Sequence, residues 1–157
     1  MTRSHAKVRP WVCRLYPEAS SSLFARVQVW PTQKAMLGYL NANRIGQRFE
    51  TDCHGACGRI HRTTYTDGRA RRCPQFAEVN LYLGALGMGV VTHEIFHATM
   101  AWAHRVRFDF TPVMATFDTT EHEERITYAH SEMCRQFMVK ATKRNAPYDR
   151  LGGVAAG

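Results

Sequence analysis

Residues 90–105 read VVTHEIFHATMAWAHR, and this stretch determines most of what the sequence predicts. It contains no Pro or Gly and is rich in Ala and apolar residues, so we expect a helix over 90–105. Positions i and i+4 share one face of a helix. His93 and His97 can therefore present two imidazoles to one cation, and Glu94 lies beside them, where its carboxylate can act on a water molecule. This HExxH pattern is typical of zinc hydrolases.

A catalytic zinc ion needs three protein ligands and one open position for water. His104 shares the face of His97 but lies about 10 Å farther along the helix axis, which is too far for the same ion. The third ligand must therefore come from another segment. We favour a zinc site over the alternative of two structural histidines, because HExxH arises by chance in a chain of this composition with a probability of only roughly 0.02.

A second helix is predicted from Glu121 to about Lys143, with acidic residues in its first turn and basic residues in its last, as the helix dipole favours. Its expected buried face is an apolar stripe with helical spacing: Ile126, Ala129, Met133, Phe137 and Ala141. At about 100° per residue, Glu123 falls within that stripe and Glu124 falls opposite it. A carboxylate on a buried face needs a partner, so we predict Glu123 as the third ligand, with Glu124 replacing it in another register. The alternative is an ordinary acidic helix start.

Two side chains of the second helix have open roles. His130 lies on the face of Glu123 and is either a donor to a reaction intermediate or a core histidine with satisfied hydrogen bonds, and we prefer the core role. The role of Tyr128 is equally open. Asp109, Asp118 and His122 are candidate partners for the imidazoles.

The remaining elements give an α+β domain. Alternating patterns predict strands over 11–15, 23–30 and 76–83, and a helix follows Pro31 over 33–41. Residues 45–75 are rich in Cys, His and Gly, with a turn at Asp67-Gly68, which indicates a hairpin or an irregular insert. We expect a single domain over 1–150 and a loose tail over 151–157.

The five cysteines do not suggest a disulfide framework, because the chain shows no secretory signal. Cys13 and Cys134 have apolar neighbours and are predicted to be buried thiols. Cys53, Cys57 and Cys73, with His54 or His61, could form a second, structural zinc site. We favour scattered reduced thiols, because the spacing matches no familiar zinc knuckle.

Composition and charge limit the function classes. The 157 residues are 45% hydrophobic and carry a formal net charge of +8. The charge attracts polyanions nonspecifically, but no nucleic-acid-binding motif organises it. No apolar run is long enough to cross a membrane. We therefore expect a cytoplasmic protein with no membrane partner.

The sequence HEIFHA at 93–98, the strand before it and EHEERITYA at 121–129 together resemble the small gluzincins, most closely the ImmA/IrrE-type metallopeptidases of phages, mobile elements and bacteria. The resemblance covers roughly residues 76–140. It implies a zincin-like fold: a small mixed or antiparallel sheet packed on the HExxH helix and on a second helix that bears a glutamate. In that fold residues 76–83 would be the edge strand that pairs with an extended substrate. The Cys/His-rich segment and the lack of a helix-turn-helix domain depart from the family.

The resemblance also implies the roles of the site residues. His93, His97 and Glu123 match the zinc ligands, and Glu94 matches the general base. The expected activity is zinc-dependent hydrolysis of peptide bonds, with a peptide or a regulatory protein as substrate. The alternatives are hydrolysis of another amide, or a basic DNA-associated accessory protein of a mobile element with a structural metal site.

Overall fold

The computed structural model describes residues 9–43, 49–50, 52–60, 63–66, 69–108 and 121–144. These residues form an α+β domain with one four-stranded mixed sheet, a separate two-stranded hairpin and three helices. The sheet is built from β1 (Trp11–Leu15), β2 (Phe24–Trp30), β3 (Gly55–Arg59) and β6 (Gln75–Tyr82). The hairpin is β4 (Thr63–Thr66) with β5 (Arg69–Arg72), and the helices are α1 (Gln33–Asn43), α2 (Met88–Arg105) and α3 (Glu121–Thr142).

The strand order in the large sheet is β1-β2-β6-β3. β1 pairs with β2 in an antiparallel arrangement, β2 pairs with β6 in parallel, and β3 pairs antiparallel to β6. Because β6 has a neighbour on each side, it is an interior strand, and the expectation that residues 76–83 form the edge strand is wrong. β3 forms that edge of the sheet instead.

The sheet is covered on both faces, which gives three layers. Alternate residues of β2 and β6, including Val27, Val79 and Leu81, face the same core cluster as α2 and α3. The opposite face of the sheet, with Trp30 and Ala56, packs on Met36 and Leu40. Because strand residues alternate between the two faces, covering both of them buries five of the eight residues of β6.

Polar side chains inside the α1 layer satisfy one another. Asn80 is fully buried, and its Oδ1 accepts hydrogen bonds from Gln28 at 3.2 Å and from the Trp30 indole at 3.1 Å. The Tyr39 hydroxyl donates to Glu78 at 2.9 Å. A buried polar group costs little once it is paired. Asn80 and Glu78 therefore face a protein layer although their residue types suggest a solvent face.

The elements predicted from the sequence are present within one or two residues of their expected bounds, and the second helix ends at Thr142. The hairpin expected within 45–75 is confirmed as β4 and β5, whereas β3 was not predicted. The tail at 151–157 lies outside the described residues. No described helix combines the length and the apolar character needed to cross a membrane.

Candidate metal centre and active site

Helix α2 presents two different faces. Val91, Ile95 and Trp102 are buried against the sheet, whereas His93 and His97 lie on the exposed side. This arrangement follows from the helical repeat, because the imidazoles are about half a turn away from the apolar stripe. One side of α2 therefore packs on the sheet, and His93 and His97 lie on the opposite side of the helix.

The two imidazoles converge on one point. Their Nε2 atoms lie 3.1 Å apart, and the rings are nearly perpendicular, with centroids 4.6 Å apart. Two nitrogens bound to one tetrahedral zinc at 2.0–2.1 Å would be separated by about 3.3 Å. A hydrogen bond between two neutral imidazoles has a similar length. The spacing is therefore compatible with two nitrogen ligands of one zinc ion and equally with a hydrogen bond between the two rings.

Glu94 points to the neighbouring strand. Its residue is only 7% exposed, and its side chain lies against the backbone of Gly55 in β3. A Cβ atom added at Gly55 would stand 2.8 Å from Cγ and 3.2 Å from Cδ of Glu94. Gly55 therefore provides the space that the carboxylate side chain occupies. Sequence reasoning missed this residue, although a glycine inside a strand often marks a close approach.

A groove runs between β3 and α2 along this carboxylate. One cavity of about 300 Å³ includes Gly55, Glu94, His97 and Met100 in its lining. A second, of about 260 Å³, shares Gly55 and Glu94 with it and adds His93. The two cavities thus place the HExxH side chains at the wall of one elongated groove beside the edge strand.

His54 is a further residue of this groove that the HExxH pattern does not predict. It lines the cavity that contains His93 and Glu94. Its Nδ1 lies 3.2 Å from the Tyr82 hydroxyl, so a contact with β6 fixes the orientation of the imidazole. The groove therefore has polar side chains on the β3 side as well as on the α2 side.

Glu123 occupies the first turn of α3 and is exposed. The expectation that it lies on the buried face is wrong. In the rest of the predicted stripe Ala129, Met133, Phe137 and Ala141 are buried and Ile126 is partly buried. The buried stripe begins one turn and a half later because the first turn of α3 extends past the core.

Helix α3 runs antiparallel to α2. Phe108, just beyond α2, stacks on His122 with centroids 4.9 Å apart, while Thr99 lies 3.4 Å from His130. Glu123 is therefore next to the C-terminal end of α2, roughly 13 Å along the axis from His97. Within the described part of the chain, no group of three or more His, Cys, Asp or Glu side chains is arranged to hold a metal ion. The structure brings His93 and His97 together, with Glu94 lining the cavity next to each of them, and leaves Glu123 and Glu124 apart from them.

His130 has the contacts of a core histidine. It is half-buried between α2 and α3, and the edge of its ring meets Phe96 with centroids 5.7 Å apart. Its Nδ1 is 3.4 Å from the Thr99 hydroxyl, and its Nε2 is 3.7 Å from the Cys134 sulfur. Burial lowers the pKa of His130, which favours the neutral ring. Tyr128, by contrast, is 72% exposed.

The cysteines of the 45–75 segment do not assemble into a second metal site among the described residues, and His61 lies outside them. Cys53 donates its thiol to the Gly55 carbonyl at 3.1 Å. Cys57 pairs with Val79 in the sheet, whereas the Cys73 carbonyl accepts a hydrogen bond from Arg105 at the far end of α2. All five cysteines are thiols rather than disulfides. Cys13 and Cys134, predicted to be buried thiols, are partly buried against the core, and burial raises the pKa of each to about 11.

No protein-family model, curated protein or solved structure matches this chain. The likeness of residues 76–140 to the small gluzincins therefore rests on the motifs of the sequence alone.

Proposed function

We propose that this chain is a zinc-dependent metallopeptidase. The observation that carries the proposal is the 3.1 Å approach of the His93 and His97 Nε2 atoms beside a carboxylate in a groove. A pair of structural histidines would not need an adjoining glutamate that is only 7% exposed and packed against a strand.

The residues present fit a zinc ion in part. His93 and His97 offer two imidazole nitrogens with a suitable spacing, and both belong to the ligand types that zinc prefers. Glu123, the third ligand that the sequence predicts, lies in the first turn of α3, at least as far from the pair as His104, so the described residues supply two of the three ligands. When bound, zinc supplies Lewis-acid chemistry at the scissile carbonyl and activates a water molecule.

The chain's own groups perform the remaining tasks. Glu94 accepts the proton of the attacking water and delivers it to the amine that leaves. Gly55 leaves room for the Glu94 side chain and brings β3 close to it. In the β3–β6 ladder the Ile60 amide donates to Phe76 at 2.8 Å. By the alternation of an antiparallel pair, the backbone groups of Gly55 and Arg59 then point away from β6.

The outer strand defines how a substrate would lie. An extended peptide can add to a sheet edge through main-chain hydrogen bonds, with its side chains alternating into pockets. β3 presents such an edge directly beside Glu94. We infer that a peptide bond laid along β3 would be within reach of the carboxylate, and this placement favours a peptide over a compact amide as the substrate.

Two substitutions test the proposal. Glu94→Gln keeps the shape of the side chain but removes its basicity, so we expect unchanged zinc content and loss of turnover by about 10²-fold or more. His97→Ala removes one ligand, so zinc content measured by elemental analysis should fall below one ion per chain. Hydrolysis would be followed with a mixture of quenched fluorescent peptides. Full activity in Glu94→Gln, or unchanged metal content in His97→Ala, would overturn the assignment.

A further inference from the structure

A second cavity, of about 400 Å³, lies at the C-terminal end of α2. Four arginines from three different parts of the fold contribute to its wall, together with His104: Arg59, Arg72, Arg105 and Arg107. We call this cavity the arginine pocket. Guanidinium groups stay charged at any physiological pH, and the described lining residues of the pocket include no carboxylate.

The positive charge of the four arginines exceeds the partial negative charge at the C-terminal end of α2. The C-terminus of α2 contributes roughly half a negative charge, whereas each arginine contributes a full positive charge. Arg59, Arg72 and Arg107 are exposed and Arg105 donates to the Cys73 carbonyl, so solvent and salt screen part of their mutual repulsion, and an anion would offset the rest. The pocket is therefore suited to an anion with several oxygen atoms, such as one or two carboxylates.

The backbone conformation of Arg107 supports a functional role for its side chain. The helix ends with the Phe108 amide bonded to the Ala103 carbonyl at 3.0 Å and the Arg107 amide bonded to the His104 carbonyl at 3.3 Å. This is the pattern of a Schellman motif, in which glycine commonly occupies the left-handed position. Here Arg107 occupies it, with φ of 61°. An arginine at this position strains the backbone, and such strain is found where function requires the side chain.

The arginine pocket and the groove that contains Glu94 share one wall residue. Arg59 lines both the pocket and the cavity formed by Gly55, Glu94 and His97. Arg59 lies four residues from Gly55 along β3, which corresponds to about 13 Å at 3.3 Å per residue. A peptide that lies along β3 with its reacting bond at Glu94 would therefore reach the pocket three to four residues away.

We propose that the arginine pocket selects substrates with an acidic segment three to four residues from the bond that is cleaved. The proposal rests on the peptidase function proposed above, and it names the substrate class. An acidic peptide is favoured over nucleic acid because a cavity of about 400 Å³ has room for one or two side chains. A nucleic-acid backbone would instead need basic groups spread along an extended surface.

Binding can be tested without cleavage in the Glu94→Gln variant. The probe is a fluorescent mixture of ten-residue peptides with Asp or Glu fixed three or four residues from the centre, on one side or the other. The comparison mixture carries Asn or Gln at the same positions. We expect the acidic mixture on one side to bind about tenfold more tightly, with the advantage decreasing as salt is raised.

Arg107→Gly combined with Arg72→Gln should reduce that advantage to about twofold or less, because two of the four charges are lost. Arg107→Gly relieves the strained φ, so the fold should survive with an unchanged or higher melting temperature. The control is Lys143→Gln with Arg144→Gln, which makes the same change of net charge at the other end of α3. An equal loss in the control, or a tighter and equally arginine-dependent binding of a single-stranded oligonucleotide, would overturn the proposal.

The outcomes also separate the two proposals. Binding of acidic peptides through the pocket without any cleavage by the wild-type protein would refute the peptidase and retain the pocket. Cleavage by the wild-type protein with no preference for acidic over amide peptides would refute the pocket and retain the peptidase.

Discussion

The contact between Gly55 and Glu94 gives the sharpest prediction of this structure. In Gly55→Ala the new Cβ would stand 2.8 Å from Glu94 Cγ and 3.1 Å from Leu81 Cδ2. Carbon atoms pack favourably at about 3.5–4.0 Å, so the Glu94 overlap is at least roughly 0.7 Å. Cγ is close to the helix backbone and cannot turn away as the tip of a long side chain could. The Glu94 side chain must therefore move.

The expected magnitude combines two opposing effects. Overpacking a buried contact costs about 1–3 kcal/mol, whereas replacing a strand glycine by alanine stabilises by about 0.5–1 kcal/mol. We expect Gly55→Ala to lower the free energy of unfolding by about 0.5–2 kcal/mol. At about 2–4 °C per kcal/mol for a chain of this size, the melting temperature falls by a few degrees. A carboxylate displaced by about 1 Å should also lose roughly 10²-fold in activity.

A double-mutant cycle isolates this contact. Glu94→Ala removes Cγ and Cδ, so the methyl group added by Gly55→Ala fits in that background and the substitution becomes neutral or stabilising. We expect a coupling energy of about 1–3 kcal/mol from urea unfolding of the four variants. Gly38→Ala is the control, because a Cβ there meets nothing within 4 Å, and its effect should be the same in both backgrounds. Equal effects of Gly55→Ala in both backgrounds would refute the close packing of Glu94 on β3.

Two further predictions concern pH. Burial raises the pKa of Cys13 from 9.0 to about 11, so its thiol contributes stability that is present below pH 9 and lost as the pH rises towards 11. Between pH 8 and pH 10.5 in urea unfolding, the wild-type protein should lose about 1–2 kcal/mol more than Cys13→Ala does. Hydrogen bonds from Arg135 and Gln136 lower the pKa of Glu132 to about 2. Because this ion pair is partly exposed, Glu132→Gln should cost only about 0.5–1 kcal/mol at pH 7, and that difference should vanish as the pH falls from 4.5 to 2.

Local patterns were sufficient to predict most of the elements. The two long helices have periodic apolar residues and suitable ends, and β1 and β2 alternate clearly, so their bounds follow from propensity and period. β3 was not predicted because its sequence, GACGR, contains two glycines and lacks β-branched and aromatic residues. This composition disfavours a strand. Pairing with β6 and the need for space beside Glu94 determine that segment, and both depend on tertiary structure.

The edge position of β6, which the resemblance to the small gluzincins implied, was wrong. Glu78 and Asn80 alternate with apolar residues, which indicates a half-exposed strand. Both side chains instead face the α1 layer, where Gln28, Trp30 and Tyr39 pair with them. An internal polar network looks the same as a solvent face in the sequence, so alternation alone does not identify an edge strand.

The candidate site shows the same division between local and long-range information. The spacing of His93 and His97 follows from one turn of helix and is predictable from the sequence alone. The exposure of Glu123 could not be predicted in this way, because the position of the first turn of α3 relative to α2 depends on the connection between the two helices. The arginine pocket joins residues from β3, β5 and the end of α2, which are far apart in the sequence, and no local motif signals such a cluster.

The most direct test of the metal centre is X-ray absorption at the zinc edge of the purified protein loaded with one equivalent of Zn²⁺. We predict one tightly bound ion with two imidazole nitrogens at about 2.0–2.1 Å and oxygen atoms completing a four-coordinate shell, and loss of the imidazole signal in His93→Ala. A shell made of thiolate sulfur, or a zinc ion whose imidazole signal persists in that variant, would contradict the account.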